Sequence, residues 1–215
     1  MPKTIHVVLV GGANEQIHQP LRDILLRHPE VYNDARLKAA VAKVITTTGH
    51  NYQLNINGYK GIRKPDVAWH MNVSGYGDPR PAFVSEMSWS PRLKGLEERC
   101  IQWILGSRGE CRLAMGLNVD YDKDVHPSGS EFGLLAYKAP WAGQTRKARL
   151  MFDKVVRDAG GNMNEGFRFR ISVRDLAPNS LCDDMPDEII VELNSALLCS
   201  WLDRAAPLKA LSVGL

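Results

Sequence analysis

The sequence predicts an α/β (α+β) protein: a central mixed β-sheet flanked by helices. Short β-branched runs alternate with stretches of helical apolar spacing, so strands and helices interleave along the chain. Asn57-Gly58 stands between two β-rich runs. This dipeptide is the strongest short hairpin signal, because a type I′ turn needs positive φ at both central residues. Ser90-Pro91 then reads as an N-cap and a first-turn proline, opening a crossover helix between strands.

The elements follow in order. Residues 4–10 (TIHVVLV) are a continuous β-branched run closed by Gly11-Gly12. A helix is expected over 20–28, with Pro20 in its first turn, Leu21, Ile24 and Leu25 on one face, and Pro29 stopping it. A second helix follows, with Asn33 as its N-cap, a stripe of Leu37, Val41, Val44 and Ile45, and Gly49 beyond its end. Residues 51–56 and about 59–71 read as antiparallel strands, with Pro65 marking an edge, bend or bulge. Residues 82–89 form a third strand, and a helix covers about 91–105. Residues 111–119 and 132–138 are strands joined by an acidic loop. FRFRISV (167–173) alternates as a strand, and a last helix is expected over about 187–203.

The chain has 215 residues with 44% apolar content, enough for one sizeable core. No apolar run approaches the length of a membrane-crossing helix, and no membrane partner is expected. MPKTIHVVLVGG reads as a buried strand rather than a signal peptide. Cys100, Cys111, Cys182 and Cys199 form no CxxC pair, so an intracellular compartment, cytoplasmic or nuclear, is expected. The net charge of +3 is unevenly distributed. Residues 175–215 carry two basic and seven acidic groups, a balance of −5, which leaves +8 on residues 1–174. Residues 143–174 alone hold eight basic groups against three acidic ones. Such a surface suits a phosphate backbone, or else an acidic segment simply neutralises its own body. Nucleic acid, DNA before RNA, is the expected partner, with Arg92, Arg146, Lys147, Arg149, Arg168 and Arg170 as contacts; a homodimer is left open.

The chemistry concentrates in residues 64–94. Asp66 opens one strand and Glu86 stands mid-way along the next, in an otherwise apolar run. A buried unpaired carboxylate is costly, so Glu86 implies a metal, a cation or a basic partner. Two carboxylates converging from neighbouring strands suit Mg2+ that keeps most of its waters. Such an ion polarises a phosphodiester and lowers the pKa of bound water. The alternative is that Asp66 follows a proline in a turn and Glu86 pairs with an arginine.

The order Pro65-Asp66, then Glu86 on the next strand, then Ser-x-x and a helix resembles the PD-(D/E)XK nuclease-like superfamily. RKPDVAW, PAFVSEMSWSP, a helix with internal Trp103 and a strand after Ser107-x-Gly109 resemble its fungal members in particular. The resemblance covers about residues 50–138. It implies a restriction-endonuclease-like fold and a single nuclease-like domain over 1–215, with its core at about 33–138 and a C-terminal extension at about 139–215. It also implies Asp66 and Glu86 as ligands of Mg2+ or Mn2+, and a metal-dependent nuclease, a phosphodiester hydrolase. The family pattern places a lysine two residues after the second acid, where this chain has Ser88. Either the cation has moved, with Lys94, Arg92 or Lys64 as replacements, or a non-catalytic binding module remains. Gln102 on the same helix is a further catalytic candidate, and Glu15, before Glu30, a third metal ligand.

Other signals are weaker. The Gly-Gly after the first strand lacks a GxGxxG or GxxxxGK[ST] pattern. His70 could lie near Asp66 or serve structurally. Asp120, Asp122 and Asp124 do not match an EF-hand loop. Trp69, Trp89 and Trp103 read as core.

Overall fold

The computed structural model describes residues 35–48, 50–56, 58–71, 81–88, 93–120, 131–139, 147–178, 185 and 189–210. The expected first strand and the helix over 20–28 lie outside them, as do Glu15, Glu30, Arg92 and Arg146.

Helix α1 (Ala35–Val41) is built from strong helix formers and buries Leu37, Ala40 and Val41. It ends earlier than the apolar stripe suggested. Val44 and Ile45 belong instead to strand β1 (Val44–Thr48), whose five residues are all β-branched. Such side chains lose rotamer freedom in a helix and fit a pleated surface. Strand β2 (Tyr52–Ile56) and strand β3 (Tyr59–Arg63) form a separate hairpin. Ile56 pairs with Tyr59, leaving a two-residue turn, and Gly58 takes the positive φ of 86° that the turn needs. The expected 59–71 strand is two strands, broken around buried Pro65. The second is β4 (Val67–Met71).

Strand β5 (Phe83–Ser88) follows, then helix α2 (Leu93–Gly106) and strand β6 (Leu113–Asp120). Among the described residues, strand β7 (Glu131–Lys138) and strand β8 (Arg149–Arg157) complete a six-stranded sheet in the order β1-β4-β5-β6-β7-β8. The pairs are antiparallel except β5 with β6, the pair that α2 connects. The sheet is therefore mixed, as expected.

Each face of the sheet carries its own core. On one, Leu96, Cys100, Trp103 and Ile104 of α2 pack on Ala68, Val84, Ala114 and Leu135, and the hairpin adds Tyr52 and Leu54. The other face is covered by α1 and by the C-terminal elements. These are strand β9 (Arg168–Ser172), a short 3-10 turn (Val173–Leu176), strand β10 (Ile189–Asn194) and helix α3 (Ser195–Ala210). The expected helix over 187–203 is thus corrected: its first part is a strand paired with β9. Asn194 caps the true helix, its Oδ1 accepting from Leu197 N at 2.9 Å.

The described acids of the C-terminal segment bind the body. Arg157 Nη1 lies 2.8 Å from Asp203 Oδ1, and Lys138 Nζ 2.7 Å from Asp175. Glu192 contacts Arg168 Nε at 3.2 Å and Arg170 Nε at 2.8 Å. No described helix is long and apolar enough to cross a membrane.

Candidate functional site

Strands β4 and β5 bring Asp66 and Glu86 together. Val67 pairs with Ser85 and Ala68 with Val84, so one step further along this register Asp66 comes opposite Glu86. Residues directly opposite on one face of an antiparallel pair have Cβ atoms about 5 Å apart. Met87 N donates to Asp66 Oδ2 at 2.7 Å, which fixes Asp66 against β5. Both acids point to the α2 side of the sheet, since Ala68 and Val84 alternate with them on that face.

Glu86 is only 5% exposed. Trp103 Nε1 donates to its Oε1 at 2.6 Å, and Arg99 Nε lies 3.2 Å from its Oε2. Arg99 and Trp103 are one helical turn apart on α2, so a single helix face delivers both. Arg99 Nη2 also donates to Met87 O at 3.4 Å, tying the guanidinium to β5. The arginine partner weighed from the sequence is therefore present. Burial, and then the facing Asp66 charge, push the Glu86 carboxyl up to about 7, against the opposing pull of Trp103 and Arg99.

Gly116 sits beside Glu86 in the β5–β6 register. A Cβ there would come within 2.8 Å of Leu135 Cδ1 and 2.9 Å of Leu96 Cγ. Glycine is what lets α2 approach the sheet closely enough for Arg99 and Trp103 to reach the acid.

Ser88 is buried at the end of β5, two residues beyond Glu86 on the same face. Lys94 lies in the first turn of α2, and its side chain is outside the described set. Gln102 turns to the hairpin: its Oε1 accepts from Arg63 Nη2 at 2.7 Å. Lys147 and Arg149 are exposed beside and on β8; Arg168 and Arg170 are exposed on β9 but share Glu192.

His70 is buried on β4, with Nε2 3.0 Å from Thr47 Oγ1 and 2.5 Å from Tyr52 Oη. Thr47 Oγ1 and Tyr52 Oη are 2.8 Å apart, and the Tyr52 ring meets Trp103 edge-on with centroids 5.8 Å apart. A continuous polar and aromatic layer thus runs from His70 through Tyr52 and Trp103 to Glu86. Burial pushes the Cys100 and Cys111 thiols up, so neither offers a thiolate. Among the described residues, no three His, Cys, Asp or Glu side chains gather in one place.

Sequence reading missed Arg99 and the hydrogen-bonding role of Trp103. The available signal was their spacing of four on the helix after β5, which places them on one face. Comparison with known proteins finds no matching family model, curated protein or solved structure.

Proposed function

We propose that this chain is a Mg2+- or Mn2+-dependent nuclease with a restriction-endonuclease-like fold, acting on DNA in preference to RNA. The supporting observation is the facing of Asp66 and Glu86 across β4 and β5, with Arg99 beside Glu86. The donor set fits a hard divalent ion, since two carboxylates suffice for a cation that keeps several waters. Burial, and then the facing Asp66 charge, push the Glu86 carboxyl up to about 7, and a bound cation would offset both. Asp66 and Glu86 would hold the ion, with Trp103 and Arg99 orienting Glu86. The ion would polarise the phosphodiester and supply an acidified water. Arg99, held on Met87 O and beside Glu86, suits charge developing on phosphate in place of the lysine that Ser88 replaces.

The test is cleavage of end-labelled DNA and RNA in Mg2+, Mn2+ or EDTA. Wild type cleaves only with metal, and Asp66→Asn and Glu86→Gln lose roughly 100-fold or more. Cleavage that survives either substitution overturns the reading.

One observation favours a second reading, a non-catalytic nucleic-acid-binding module. Both Glu86 oxygens already engage protein donors. On that reading, wild type binds nucleic acid but cleaves nothing, and metal leaves its thermal stability unchanged.

A further inference from the structure

We infer that the β2–β3 hairpin is a binding platform for single-stranded nucleic acid, with Tyr59 as its base-stacking residue. The inference rests on the chain being a nucleic-acid-directed protein, but not on its being catalytic.

The hairpin stands outside the six-stranded sheet. It is anchored by Tyr52 and Leu54, which join the α2 core, and by the bond from Arg63 to Gln102. What remains outward is unusual. Tyr59 is 81% exposed and Ile62 72%, the two most exposed large apolar side chains among the described residues. Neither is needed to hold the hairpin on the body. Lys60, Arg63 and Lys64 accompany them, all exposed, and residues 50–65 contain no acid at all. Within this segment basic groups are interspersed with exposed apolar ones and no acidic residue occurs. On β9, by contrast, Glu192 takes up both arginines.

That combination selects the partner. Cations without acids call for a polyanion, and an open aromatic ring calls for a flat apolar surface. A single strand offers both, because its bases present π-faces that a duplex keeps stacked inside. The turn geometry supports the role. Tyr59 directly follows Gly58, whose positive φ closes the two-residue turn, so the ring is held at the tip of a short loop. The other end of β3 leads through Lys64 and Pro65 to Asp66. Side chains alternate along β3, so Lys60, Ile62 and Lys64 share one face and Tyr59 stands at the turn end of the other. A strand that stacks a base on Tyr59 rounds the hairpin tip to pass its phosphates along Lys60 and Lys64.

The experiment is fluorescence anisotropy with labelled single-stranded DNA and RNA 20-mers and the matching DNA duplex. It is run in EDTA across a salt series, so that cleavage plays no part. Tyr59→Ala should weaken single-strand binding by roughly 5- to 100-fold, and Tyr59→Phe should retain it. Lys60→Gln with Lys64→Gln should reduce the steepness of log affinity against log salt by about 0.7 per lysine removed. Tyr59 is solvent-exposed, so far-UV circular dichroism and melting should match wild type. Wild-type binding that these variants leave unchanged overturns the inference and leaves the proposed function standing. A preference for duplex, or no wild-type binding to any probe, also overturns it. Metal-dependent cleavage is scored separately, so failure of the nuclease reading shows independently.

Discussion

Glu86 is the residue on which the site turns, and its environment makes a measurable statement. Its carboxyl is raised from 4.5 to about 7, chiefly by burial. The folded state therefore holds a proton that the unfolded chain has already released. Stability from this group is full below about pH 4.5 and is lost as pH rises through 7. The loss amounts to as much as about 3 kcal/mol. In a series of urea denaturations in EDTA, Glu86→Gln should flatten this part of the pH profile; parallel profiles would contradict the assignment. Trp103→Phe leaves Glu86 Oε1 without its indole donor and part of the buried indole volume unfilled. We expect a loss of about 1–3 kcal/mol by the same assay. The two carboxylates were legible in the sequence, because an acid inside an apolar strand demands a partner. Arg99 was not, because choosing it needs the rotational phase of α2 over the sheet, which spacing alone does not give.

At the scale of elements, the close seating of α2 on β6 makes the site. Gly116→Ala would push a methyl group into Leu135 and Leu96. It should cost about 1–3 kcal/mol of stability and reduce cleavage beyond what the stability loss explains. Wild-type stability in this variant would show that the helix has room to move. The hairpin, β5, α2, β6 and β7 were all readable, since each has a turn, cap or continuous apolar run of its own. Residues 44–48 and 189–194 were read as helix because their apolar positions also satisfy helical spacing, and pairing with β4 and β9 decides otherwise. Strand β8 was hidden for a different reason. It is an edge strand with two register irregularities, so it shows no alternation: Leu150, Met151 and Val155 are all exposed.

For the whole molecule, the asymmetry between a +8 body and a −5 C-terminal segment is largely internal bookkeeping among the described residues. Asp175, Glu192 and Asp203 each hold a body cation. Positive charge with no acid in its own segment is found on the hairpin, residues 50–65, which leads into Asp66. Glu192→Gln should release Arg168 and Arg170 and raise DNA affinity at low salt by about 2- to 10-fold. Unchanged affinity would place that face of β9 outside the contact surface. The central claim, that Asp66 and Glu86 form a divalent-cation site, is tested most directly by titration calorimetry of Mn2+ at pH 6 and pH 8. Binding of one ion should be abolished by Asp66→Asn and be weaker at pH 6, because the ion must displace the Glu86 proton. Absence of binding, or binding that neither Asp66→Asn nor the change of pH affects, would contradict it.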